Sequence, residues 1–151
     1  MPGERFYIDS NVFANAALAD RRYGAACLRV LGDLHTGRIA GVASSLVLLE
    51  LANALRKFGR PKIAGEAVAS ARALLAGLFD MDAELAEDGV RAAAEAKQDP
   101  YDGLHVATMR KHGLASVIST DADFEEFPGI RRIDPLAYVA ERDSGPRAKR
   151  P

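Results

Sequence analysis

One cysteine, Cys27, is all that the 151 residues contain, so no internal disulfide can form and the fold must rest on burial. A lone cysteine suits a reducing compartment, and between Ala26 and Leu28 it reads as a small core residue and not as a nucleophile. Excess charge is missing as well. Twenty basic against 21 acidic side chains leave a formal net charge of -1, which excludes a general field drawing in nucleic acid or membrane, so any polyanion must be met by local groups. No apolar run approaches the ~20 residues of a membrane span, and the start, MPGERF, has no apolar signal core. The chain is therefore expected in the cytoplasm, with no membrane partner. Nucleotide-binding glycine loops are absent too, both Gly-x-Gly-x-x-Gly and the Walker lysine loop, and no convincing Ser-His-Asp set is present.

What is present is an ordinary globular balance, 48% hydrophobic and 27% charged, in a chain the length of one domain. Strand-like and helix-like segments alternate. Phe6 to Ile8 read as a buried strand, residues 11–19 and 23–36 as helices, and RIAGVA as a second strand. A third helix starts at Ser44 or Ser45 and stops before Gly59 and Pro61; a fourth covers 62–76. GLFDMD reads as a strand, residues 83–97 as an Ala- and Glu-rich helix, and DPYDGLHVATMRKHG as a sixth helix capped by Asp99 with Pro100 in its first turn. ASVIST is then a strand, DADFEEF a turn or short helix, and IRRIDP a last edge strand. Strands separated by helices imply parallel pairing, and so an α/β fold: a three-layer α/β/α sandwich around a parallel sheet of about four to five strands. Residues 1–141 form a single domain on this reading, and 142–151 form a basic, mobile tail.

Ligands of open parallel sheets bind outside the carboxyl ends of the strands, which makes acids there informative. Asp9 ends the first strand, and Asp121 ends the VIST strand with Asp123 two residues on. Asp102 lies in the first turn of the sixth helix, and Glu50 lies inside the third. Each has an ordinary explanation. Asp9 suits a helix cap, Asp102 suits the positive end of a helix dipole, Asp121 and Asp123 suit a turn, and Glu50 suits the start of a polar stripe running through Asn53, Arg56 or Lys57, and Arg60. Taken jointly they point elsewhere. Several carboxylates at one sheet mouth repel one another unless a cation compensates, and a hard ion such as Mg2+ or Mn2+ takes oxygen ligands of this kind.

YIDSNVF, SLVLLELANALRK and DPYDGLHVATMRKHGLASVISTDADFEEFPGIRRIDP, in that order and spacing, resemble the PIN domain, and more closely its short VapC-type toxin members. The resemblance implies a metal-dependent endoribonuclease, the toxin of a toxin-antitoxin pair, with an RNA substrate, a small antitoxin protein as partner, and a homodimeric state. It places the family's acids on Asp9, Glu50, Asp102 and Asp121 as catalytic and metal-holding residues, with Asp123 as a possible sharer of the last role. It makes Ser10, Asn11 and Ser119 polar neighbours of the metal or its water. His105 matches a position often filled by histidine, and reads as a satisfied core or supporting residue. Arg56, Lys57 and Arg60 are candidate RNA contacts, with Arg110 and Lys111 beyond Asp102. A receiver-type phosphoacceptor needs paired acids after the first strand, and an aspartyl phosphatase needs Asp-x-Asp; IDSN supplies neither. The alternative from another class is a PIN-like module that binds RNA or a regulator without cutting, whose mark would be missing acids.

Overall fold

The computed structural model describes residues 4–145. Five parallel strands form one sheet: β1 (Glu4–Ile8), β2 (Ile39–Ser44), β3 (Gly77–Phe79), β4 (Ser116–Ile118) and β5 (Arg131–Ile133), in the order β3-β2-β1-β4-β5. Seven helices surround it: α1 (Ser10–Ala17), α2 (Gly24–His35), α3 (Leu46–Lys57), α4 (Ala64–Leu74), α5 (Ala83–Ala96), α6 (Pro100–Lys111) and α7 (Pro135–Asp143). The expected α/β sandwich is the fold observed. Among the described residues no helix is long and apolar enough to cross a membrane.

The order of the strands sets where the sheet opens. From β1 the chain moves to β2 and β3 on one side, then returns past β1 to β4 and β5 on the other. Right-handed crossovers in opposite directions put α1–α4 on one face and α5–α6 on the other. The reversal leaves a crevice beyond the carboxyl ends of β1 and β4, the kind of place where such sheets take ligands. Tyr7 and Ile8 of β1 pair with Val117 and Ile118 of β4 beside it, and the amide of Asp9 extends the ladder to the Ile118 carbonyl.

The core is continuous around β1. Tyr7, Ile8, Val12, Val30, Val47, Leu51, Leu55, Met109, Val117 and Ile118 are all buried within it, and Cys27 is buried there too, its thiol pushed up to about 12 by burial, as an inert packing residue should be. Across the other face, α5 and α6 meet on glycine. A Cβ on Gly103 would stand 2.1 Å from the Gly89 carbonyl oxygen, so only glycine permits this approach. It fixes the start of α6, and with it the neighbouring Asp102.

Several element edges differ from the sequence reading. The fourth helix is divided, with a 3-10 turn at Pro61–Ile63 ahead of α4. The GLFDMD strand ends at Phe79, because Asp82 caps α5 by accepting the Leu85 amide at 2.8 Å. The unanticipated element is α7, which Asp134 caps through the Leu136 amide and Pro135 opens. It carries helix through Asp143, two residues into the stretch read as a tail, while the tail's residues 146–151 lie outside the described residues.

Candidate metal centre at the carboxyl edge of the sheet

Asp9 is the first residue past β1 and the N-cap of α1. Its extended backbone lets Oδ1 accept the Ser10 amide at 2.8 Å. Oδ2 accepts from Asn11 Nδ2 at 2.9 Å and from Ser119 Oγ at 2.6 Å. Oδ2 is thereby filled by donors, and Oδ1 keeps an open acceptor position. The side chain is therefore a cap and an available ligand at once. Burial raises its pKa, against the opposing effects of His105 and the Ser119 hydrogen bond.

Ser119, fully buried at the end of β4, joins the two strand ends. Besides donating to Asp9, its Oγ accepts from Asn11 Nδ2 at 3.1 Å and from the Asp121 amide at 3.0 Å. Asn11 closes the loop by accepting the Thr120 amide on Oδ1 at 3.1 Å. Both Asn11 and Ser119 spend their polar atoms on holding Asp9 and Asp121 in place. Ser10 contributes its amide. Behind them Arg132 donates to the Ser119 carbonyl at 3.1 Å and to Asp134 Oδ2 at 3.2 Å, a support that the sequence did not suggest.

Asp102 enters from α6, whose start is fixed by Asp99 accepting the Tyr101 amide at 2.7 Å. Its carboxyl has no hydrogen-bond partner among the described residues, and its pKa is raised to about 7 by burial first, then by the charges of Asp121 and Asp9. Asp121 caps the 3-10 turn Ala122–Glu126 by accepting the Asp123 amide at 2.9 Å. Glu50, half-buried on α3, meets His105 Nε2 through Oε1 at 2.6 Å, and His105 Nδ1 lies 2.6 Å from the Tyr7 hydroxyl. For His105, burial lowers the pKa but the Glu50 hydrogen bond and the charges of Asp9, Glu50 and Asp102 outweigh it, and the net direction is up.

The acids fall into two adjoining groups. Ligand atoms of Asp9, Glu50 and His105 lie within 4.8 Å of one another, and so do those of Asp102, Asp121 and Asp123. Both Asp9 and Asp121 raise the Asp102 pKa, so the two groups act on one another electrostatically. His105 offers no free nitrogen, since both ring positions are engaged and the side chain is wholly buried. What remains is five carboxylates. Among the described residues, no lysine or arginine forms an ion pair with any of them. Carboxylates held this close repel one another, and an oxygen-only donor set of this kind fits a hard divalent ion.

The basic candidates lie elsewhere. Arg56, Lys57 and Arg60 are exposed at the far end of α3, and Arg56 donates to Asn53 Oδ1 at 2.8 Å through Nη2. Arg110 and Lys111 are exposed at the end of α6, where Arg110 donates to the Pro128 carbonyl. None of these enters the acid cluster. Tyr7 was not anticipated as part of the site, and its only sequence signal is a hydroxyl-bearing ring two residues before Asp9, between the apolar Phe6 and Ile8.

Comparison with known proteins bears on the fold and the family. No curated protein matches the chain. Among solved structures, the DNA-bound VapBC of Salmonella typhimurium is 25% identical, with a TM-score of 0.64 over 87% of this chain and 98% of that one. VapC20 of Mycobacterium tuberculosis, described as a sarcin-ricin loop cleaving toxin, is 21% identical with a TM-score of 0.67, covering 83% and 98% of the two chains. VapBC2 of Rickettsia felis, bound to a fragment of its promoter DNA, is 14% identical with a TM-score of 0.64, covering 85% and 97%. The PIN domain model matches residues 6–130, a span that holds Asp9, Glu50, Asp102, Asp121 and Asp123, and the chain belongs to that nuclease family.

Proposed function

We propose that the protein is a Mg2+- or Mn2+-dependent endoribonuclease and the toxin of a toxin-antitoxin pair. The observation that carries the reading is that Asp9 and Glu50 in one group and Asp102, Asp121 and Asp123 in the other stand together at the sheet mouth with no lysine or arginine paired to them among the described residues, His105 alone meeting Glu50. Bound there, a divalent ion supplies a nucleophile from water near neutral pH and relieves charge on the phosphoryl oxygens. Asp9, through its open Oδ1, and Asp102 and Asp121 are the residues that would hold it. Asp123 is close enough to share the role of Asp121. Glu50, anchored by His105, holds a second ion or orients the attacking water. Ser119 and Asn11 keep Asp9 in register, so that little reorganisation is needed when substrate arrives.

Exposed Arg56, Lys57 and Arg60 begin about 9 Å along α3 from Glu50 at 1.5 Å per residue, and they would steady the RNA backbone without reading sequence. The antitoxin would be a small protein that lays a helix into an apolar groove, and exposed Leu28, Leu49 and Phe58 are available to line one. Support for such a partner is that the Salmonella and Rickettsia structures are VapBC complexes; a homodimer and a cytoplasmic location complete the proposal. The test is cleavage of internally labelled RNA by purified protein with Mg2+ or Mn2+. Internal cuts that vanish with EDTA and fall at least 100-fold in Asp9→Asn are expected. Cutting undiminished in that variant would remove Asp9 from the mechanism, and RNA bound but never cut would favour the non-cleaving module.

A further inference from the structure

Tyr7 is a phenol buried near the carboxyl end of β1, and its oxygen is shared between two neighbours. It accepts the backbone amide of Ser44, at the end of β2, at 3.0 Å. It also lies 2.6 Å from Nδ1 of His105, whose Nε2 reaches Glu50 Oε1 at the same distance. We infer that Tyr7 is a positioning residue that acts through His105 to aim the Glu50 carboxylate at the cation site, which rests on the role proposed for Glu50 above.

The chain of contacts supplies what Glu50 lacks. Its side chain has several rotatable bonds and access to solvent, and the nearby Asp9 repels it, so an unanchored carboxylate would swing outward. Among the described residues a single donor holds it in, Nε2 of His105. To face a carboxylate oxygen at 2.6 Å, Nε2 must carry a proton. That holds for the ring with one proton or with two, provided that Nδ1 has a partner suited to either state. A hydroxyl is such a partner, because it donates to a bare Nδ1 and accepts from a protonated one. Phenylalanine at position 7 would leave the ring free to turn and Nδ1 to compete for the only proton. The strand fixes Tyr7, Tyr7 fixes the imidazole, and the imidazole fixes Glu50. Outer partners of metal-site residues act in this way, and their loss typically weakens metal binding by about 10- to 100-fold.

The test is a double-mutant cycle on Mn2+ affinity of the full chain, measured by calorimetry without RNA, with circular dichroism to confirm folding. Tyr7 and Glu50 share no hydrogen bond, and the hydrogen-bonded path between them runs through His105. Tyr7→Phe should weaken Mn2+ binding by about 10- to 100-fold in the native background and have no effect in a Glu50→Ala background. Equal losses in both backgrounds would mean a general packing effect and overturn the inference, as would an inert Tyr7→Phe. If Glu50→Ala alone leaves Mn2+ affinity unchanged, Glu50 does not hold an ion and the inference is overturned, leaving Glu50 only the water-orienting role, whereas the other failures leave its ion-holding role standing. Should Tyr7→Phe not fold, His105→Asn carries the same cycle, since its amide can meet Tyr7 but cannot reach Glu50. The same background dependence is expected, and its absence overturns the inference.

Discussion

Removing the charge of Asp102 should make the metal-free protein more stable while destroying its proposed activity. Asp102 has no hydrogen-bond partner among the described residues, and its pKa stands at about 7 against an ordinary 3.8, through burial and the charges of Asp121 and Asp9. An acid whose folded pKa lies above its unfolded one binds its proton more tightly when folded, so ionising it costs stability. The cost is fully present above about pH 7, shrinks as the pH falls through the folded pKa, and is gone below about 4. At ~1.4 kcal/mol per unit the shift would amount to about 4 kcal/mol, but Asp102 is partly open to solvent and screening reduces this to about 1 to 2 kcal/mol. Asn has nearly the same shape and no charge. In EDTA at pH 8, Asp102→Asn should therefore melt roughly 2 to 8 °C above the native protein. The difference should close near pH 4, and millimolar Mn2+ should reverse the order, because only the native site gains an ion. A variant that melts at or below the native protein in EDTA at pH 8, or one whose advantage does not change with pH, would refute the electrostatic account.

Two further outcomes follow from the geometry. Ser119→Ala removes the hydroxyl that donates to Asp9 and accepts the Asp121 amide, and should weaken Mn2+ binding by about 10- to 100-fold in a calorimetric titration while the far-ultraviolet spectrum stays native. Gly103→Ala would push a methyl group to 2.1 Å from the Gly89 carbonyl oxygen, so a urea titration should show a loss of about 2 to 3 kcal/mol, or more if α5 and α6 separate; an unchanged midpoint would mean that the two helices are less closely packed than described.

The sheet and the acids were legible for different reasons. Strands separated by helices dictate a parallel sheet, and the carboxyl ends of such strands are where a charged residue is hardest to dismiss, so Asp9 and Asp121 stood out before their contacts were known. Asp102 and Glu50 needed the joint pattern, because a helix start and a polar stripe account for each alone. The α7 helix was missed although its signal was printed twice. Asp134-Pro135 repeats the cap and first turn of Asp99-Pro100, yet the short strand before it drew attention to β spacing and the charged segment after it to a tail. Tyr7 was missed for a deeper reason. Its hydroxyl is satisfied by Ser44 and His105, 37 and 98 residues away, and no local pattern reports a contact that the sheet alone creates. Whether Asp121 or Asp123 is the better ligand is likewise not a matter of spacing, since both reach the same group.

The central proposal is that the carboxylates at the sheet mouth, Asp9 among them, hold a divalent cation. Calorimetric titration of Mn2+ into the purified native protein and into Asp9→Asn, at pH 7.5 without RNA, tests it most directly. Asp9 offers its open Oδ1 to the site, so the native chain should bind Mn2+ and the Asn variant should bind at least about tenfold more weakly. Equal affinity in the two proteins, or no Mn2+ binding by the native chain, would contradict it.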